Sequence, residues 1–179
     1  MDTSMMVFDA IELATKWHHG QHRKDTINGY LLPYITHCIE GLKLLWTWGC
    51  GEEIILSAMV CHDLLEDTDC PPQEIAKIHP RALELVGELT CTPDQNKYEY
   101  MDSFARKSVE ALVMKAADRI CNVRDFQRTD PKYAEKYLGK ASNLFLAVND
   151  RAEEINHRFY NKETAAKIIA AKNNLVFRI

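Results

Sequence analysis

Apolar residues recur at helical spacing along almost the whole chain, and the strict alternation of a half-buried strand is nearly absent. Over residues 4–22, with Ser4 as the predicted N-cap, Met5, Phe8, Leu13 and Trp17 form one stripe that Val7, Ile11 and Ala14 widen. Asn28-Gly29 and Pro33 then mark DTINGYLLP as a loop. A second helix is predicted over about 34–48, stopped by Gly49 and Gly51. The third, about 52–66, is apolar nearly all round through IILSAMVC, which predicts a central, buried position.

Asp69-Cys-Pro-Pro reads as a loop into a short helix, with proline in the first turn, where its missing N–H costs little. Another helix covers about 80–89, and TCTPDQNK (90–97) is a polar connector. Residues 98–126 predict more helix, broken near Lys107-Ser108, with ALVMKAADRICNV as the apolar core. Pro131 opens a helix to about 158, and 163–174 form the last. With no internal repeat, linker or low-complexity segment, the expectation is a single all-α domain over 1–179, a compact helical bundle.

Composition narrows the function classes. Of 179 residues, 46% are hydrophobic and 27% charged, which excludes a disordered or linker-dominated chain. A net charge of −4 and a pI near 6.0 give no general electrostatic hold on a nucleic acid polymer; the basic HHGQHRK at 18–24 is a local exception. No apolar run is long enough to cross a bilayer, and MDTSMMVFD lacks a signal pattern, so the expectation is no membrane association and a cytoplasmic location. The six cysteines are scattered without a C-x-x-C pair, which favours buried reduced thiols over disulfides or a cysteine–zinc site.

Candidate chemistry concentrates in CHDLLEDTDC, 61–70. On one helix Glu66 lies four residues beyond His62 and Asp67 four beyond Asp63, so the acidic groups converge at an otherwise apolar helix end. Carboxylates there are costly unless solvated, paired or bound to a cation, and negative charge at a helix C-terminus opposes the dipole. His37 in PYITH and Asp118 in VMKAADRICN add an imidazole and a carboxylate. Two imidazoles and two carboxylates suit Mn2+, Fe2+, Zn2+ or Mg2+, and the absence of thiolate ligands favours an open hydrolytic site. Each residue also has an ordinary reading: His37 as a core or cap histidine, and Asp118 as the partner of Lys115, Arg119 or Arg124. His18 and His22, four apart, are a second conceivable metal pair, with only Asp25 nearby.

The order H…HD…D resembles the HD-domain metal-dependent phosphohydrolases. HHGQHRKD (18–25), PYITH (33–37), LSAMVCHDLLEDTD (56–69), QEIAKIHPRALELVGELT (73–90) and VMKAADRICNVRDF (113–126) are similar to the (p)ppGpp hydrolase domains of RelA/SpoT proteins and the small alarmone hydrolases. The resemblance covers roughly 5–130 and implies an HD-domain helical bundle. It further implies that His37, His62, Asp63 and Asp118 hold one Mn2+-type ion, and that Glu66 and Asp67 position and activate the attacking water. Arg23 and Lys24 would contact base and phosphates, Asn122 the ribose, and Tyr137 would pack on substrate. The implied reaction is hydrolysis of the 3′-pyrophosphate of a guanosine alarmone to GDP or GTP and pyrophosphate. Two segments depart from the family pattern: DTINGYLL lengthens the link from Lys24 to Pro33, and TCTPDQNKYEYMD lacks the usual acidic-acidic-lysine run. Those departures keep two alternatives open: an HD phosphohydrolase acting on a 5′-monophosphate, an adenosine alarmone or NADPH, and a non-catalytic nucleotide-binding module. A di-iron oxygenase would need further histidine ligands, and His79 and His157 have no recognisable spacing for that role.

Overall fold

Twelve helices and one two-stranded hairpin succeed one another in the described residues, 5–27 and 30–175, of the computed structural model. The predicted N-cap Ser4 and the Asn28-Gly29 turn lie outside those residues. In chain order the elements are α1 (Met6–Trp17), β1 (His22–Ile27), β2 (Tyr30–Pro33), α2 (Ile35–Trp48), α3 (Glu53–Val60), α4 (Leu64–Asp67), α5 (Pro72–Ile78) and α6 (Pro80–Leu89). They continue with α7 (Lys97–Ser103), α8 (Val109–Thr129), α9 (Pro131–Gly139), α10 (Ser142–Asp150), α11 (Ala152–Arg158) and α12 (Thr164–Asn173). The all-α class stands. Among the described residues no helix is long and apolar enough to cross a membrane.

The all-round apolar segment is central, as its pattern predicts: α3 packs on α1, α2 and α6, and every residue from Ile55 to Val60 is buried. The long α8 forms the second axis, meeting α2, α9, α10 and α12. Close approach of α2 to α3 depends on Gly41, where a Cβ would run into the side chain of buried Met59. Gly49 ends α2 in the left-handed conformation, φ 90°, with the Asn161 side chain packed where its Cβ would stand.

Three expectations are corrected. The loop 25–33 is an antiparallel hairpin that pairs His22 with Pro33 and Ile27 with Tyr30, with an irregular register between. Its strands are short and β1 lies against α8, so tertiary packing supplies what two isolated strands lack. The third helix is not continuous to residue 66: it ends at Val60, turns through Cys61–Asp63 and resumes as α4. At the break the His62 ring takes the Met59 carbonyl through Nδ1 at 2.8 Å, and Leu64 N–H closes a three-residue turn on Cys61 O at 3.0 Å. The stretch 131–158 is three helices, because α9 packs on α8 whereas α10 also packs on α12, which one straight rod cannot do.

Candidate active site

Four side chains from three places in the chain meet at one point. His37 comes from the first turn of α2, His62 and Asp63 from the turn between α3 and α4, and Asp118 from the middle of α8. The Nε2 of His62 lies 3.0 Å from Asp63 Oδ2 and 3.6 Å from Asp118 Oδ1. The Nε2 of His37 lies 3.6 and 3.3 Å from the same two oxygens. Neighbouring ligands around a divalent ion with bonds near 2.1 Å stand about 3.0–3.5 Å apart, so the spacing matches one coordination shell.

Hydrogen bonding tells the same story. The His62 ring donates Nδ1–H to Met59 O, which leaves the neutral ring a lone pair at Nε2, facing two carboxylate oxygens. Both ring nitrogens of His37 and Nε2 of His62 are buried without a hydrogen-bond partner. Acceptors turned towards one another in a buried place need a cation between them. Protons take that place otherwise: burial works to lower the His62 pKa, but Asp63 and Asp118 override it and raise it well above the usual histidine value. His37, His62 and Asp118 form a buried group that could hold a metal ion, and Asp63 adds a fourth oxygen.

The ordinary reading of Asp118 is realised as well. Its Oδ2 takes the ammonium of buried Lys115 at 2.8 Å while Oδ1 faces the histidines and accepts from Asn122 Nδ2. The two oxygens thereby serve separate partners. Asn122 in turn accepts from Arg23 Nη2 at 2.7 Å, and Arg23 Nε donates to Asp125 Oδ2 at 2.7 Å. The sequence-predicted Arg23 therefore lies in the site with its donors directed into the protein, whereas Lys24 is exposed at the rim. Those residues, with Tyr34 and Phe126, line a cleft of about 160 Å³ on one side of the four-donor cluster.

Glu66 and Asp67 stand where the break in the helix puts them. Glu66 accepts the Cys91 backbone N–H at 3.1 Å, and burial pushes its carboxyl above the usual range. Asp67 Oδ2 accepts the Tyr34 hydroxyl at 2.9 Å, and its backbone carbonyl accepts Gln21 Nε2 at 2.9 Å. Tyr137, on α9, lies across a second cavity of about 300 Å³ that Glu66 also lines. His18 is buried against the Tyr34 ring at 4.4 Å and His22 is exposed on β1; among the described residues they join no metal-ligating group.

The chain is 31% identical over 134 residues, 72% of its length, to guanosine-3′,5′-bis(diphosphate) 3′-pyrophosphohydrolase MESH1 of Drosophila melanogaster, 73% of which is covered. The chain belongs to the MESH1 family. The human MESH1 of the same description is 28% identical over 132 residues, 70% of this chain and 72% of that one. A solved metazoan ortholog of SpoT, described as hydrolysing ppGpp, superposes with a TM-score of 0.74 at 25% identity, covering 98% of this chain and 99% of that one. No family model matches the chain.

The segment after Lys24, expected as an extended loop, belongs to the β1–β2 hairpin at the mouth of the smaller cleft. The polar connector after α6 supplies Cys91, whose N–H holds Glu66. Sequence reasoning missed Tyr34 and Gln21; it named Lys115 as a partner for Asp118, and His18 only as half of a metal pair. Tyr34 lies three residues before His37, a spacing that puts both on one side of the helix start, but its carboxylate partners lie 29 and 33 residues further on.

Proposed function

We propose that this chain is a metal-dependent 3′-pyrophosphohydrolase of guanosine alarmones, converting ppGpp or pppGpp and water to GDP or GTP and pyrophosphate. The observation that carries the reading is the buried four-donor cluster of His37, His62, Asp63 and Asp118 with Glu66 and Asp67 beside it, in a chain of the MESH1 family. The ion is Mn2+ in this reading, with Zn2+, Fe2+ or Mg2+ compatible with the same N/O donors. Bound there, it supplies Lewis-acid charge at the phosphoryl oxygen and makes water more acidic.

The chain's own groups do the rest. Glu66 takes a proton from the water, a role suited to a carboxylate whose proton affinity burial has raised. Asp67, pinned by Tyr34 and Gln21, orients that water. The water oxygen bonds to the phosphorus carried on O3′ and the P–O3′ bond breaks; the proton taken from the water by Glu66 is balanced by the one that ends on O3′ as the ribose hydroxyl. Asn122 reaches the ribose, Lys24 and the Arg23 plane meet the base and phosphates in the smaller cleft, and Tyr137 packs on substrate from the other side. All six cysteines are free thiols, which suits a reducing, cytoplasmic setting.

The test is a nucleotide panel with and without Mn2+, scoring pyrophosphate against orthophosphate. Metal-dependent pyrophosphate release from ppGpp is expected. Orthophosphate from simple mononucleotides or NADPH, with ppGpp untouched, overturns the reading in favour of another HD phosphohydrolase, and binding without turnover makes the chain a nucleotide-binding module.

A further inference from the structure

Arg119 follows Asp118 on α8 and is only 6% exposed. Its guanidinium lies 3.8 Å over the Tyr137 ring. Its polar contacts are weak: Nη1 to the Tyr137 carbonyl at 3.5 Å and Nη2 to Met101 Sδ at 3.8 Å, while Nε is buried without a partner. Among the described residues no carboxylate pairs with it, although Lys115, one turn back, is fully engaged by Asp118. A buried guanidinium with five donors and no anion is costly. Stacking on Tyr137 fixes the plane of the head group but leaves its charge unmet.

The same guanidinium lines the cavity of about 300 Å³ beside Glu66, with Lys97, Lys115 and Lys140 around it. With Lys115 taken up by Asp118, three cations, Arg119, Lys97 and Lys140, stand against one carboxylate, Glu66, beside a four-donor cluster suited to a metal, and make a place for polyvalent negative charge. We propose that this cavity is an anion subsite in which Arg119 binds a diphosphate group of the substrate. The inference rests on the alarmone-hydrolase reading for its substrate. Two diphosphates could fill it, the departing 3′-pyrophosphate or the 5′-diphosphate that stays on the nucleoside, and both match the fork of a guanidinium.

The test measures binding of inorganic pyrophosphate, GDP and guanosine to the metal-loaded protein at fixed free Mn2+, for wild type, Arg119→Met, Arg119→Lys and Lys140→Met. Arg119→Met is expected to weaken pyrophosphate or GDP roughly tenfold or more while guanosine is unchanged, the loss of one charge-assisted contact. Loss for pyrophosphate alone assigns the subsite to the leaving group, and loss for GDP alone assigns it to the 5′ arm. Arg119→Lys should recover part of the affinity. Lys140 is exposed at the rim, so Lys140→Met reads the same subsite without touching the core. If every variant binds both phosphate ligands as wild type does, or loses guanosine equally, the subsite is wrong. Failure of wild type to release pyrophosphate from ppGpp would sink the proposed reaction instead, and the binding measurements would still decide Arg119.

Discussion

The phenolic oxygen of Tyr34 stands 2.9 Å from Asp67 Oδ2, and the same O–H lies 2.7 Å from Asp63 Oδ2. One donor thus joins a carboxylate of the four-donor cluster to the neighbouring acid proposed to orient water. Burial, then the charge of Asp63, holds the phenol far above its usual pKa, so it remains a neutral donor. Tyr34→Phe keeps the ring against His18 and removes only this bond. Turnover is expected to fall about tenfold or more, with a smaller change in KM, because a hydrogen bond to a charged group contributes roughly 1.5–3 kcal/mol. Steady-state kinetics on ppGpp check it; an unchanged kcat would remove Tyr34 from the mechanism.

Glu66→Gln preserves shape and the Cys91 N–H contact while abolishing the proton acceptor. Turnover should drop by on the order of a hundredfold or more, the usual worth of a general base. Bound metal, counted by elemental analysis, should match wild type, because the four-donor cluster does not include Glu66. Undiminished turnover would assign the water-activating role elsewhere.

Gly49 offers a fold test remote from the chemistry. Its φ of 90° favours glycine, and a Cβ would collide with the Asn161 side chain, whose Nδ2 donates to Trp48 O. Gly49→Ala is expected to lower stability by about 1–3 kcal/mol in urea unfolding. Metal binding should be unaffected in the folded fraction.

Acid stability depends on a clamp at the start of α3. Arg158 donates to both Glu52 oxygens and also to Glu110, at 2.7 Å. The hydrogen bonds from Arg158 hold the Glu52 carboxyl below its ordinary value of 4.5. A carboxyl lowered by folding stabilises above its unfolded pKa, and the contribution fades as pH falls through the folded value. Glu52 is half-exposed, so the effect is about 0.5 kcal/mol. Wild type should therefore exceed Glu52→Gln in urea midpoint near neutrality and converge with it in strong acid; a constant difference would contradict the assignment.

The helical class, the buried α3 and the break before Ser108 were legible in the chain because each follows from local spacing or a capping residue. His62 and Asp63 were legible as neighbours in the chain, although the turn that carries them was read as continuous helix. His37 and Asp118 could be enlisted only through the order of motifs, since nothing local says that α2 and α8 cross at the end of α3. The hairpin was read as a loop because strands of six and four residues carry little pattern of their own, and what holds them is the packing of β1 against α8.

By itself the sequence determined which residue types are available and which share a helical face, since 3.6-residue periodicity and turn chemistry are local properties. Tertiary structure alone decided that Tyr34 reaches Asp63 and Asp67, that Arg23 turns inward to Asp125 and Asn122, and that Arg119 is buried without an anion. Those relations depend on how helices cross and on what the packed core leaves unmatched, and that is fixed only when distant segments are brought together.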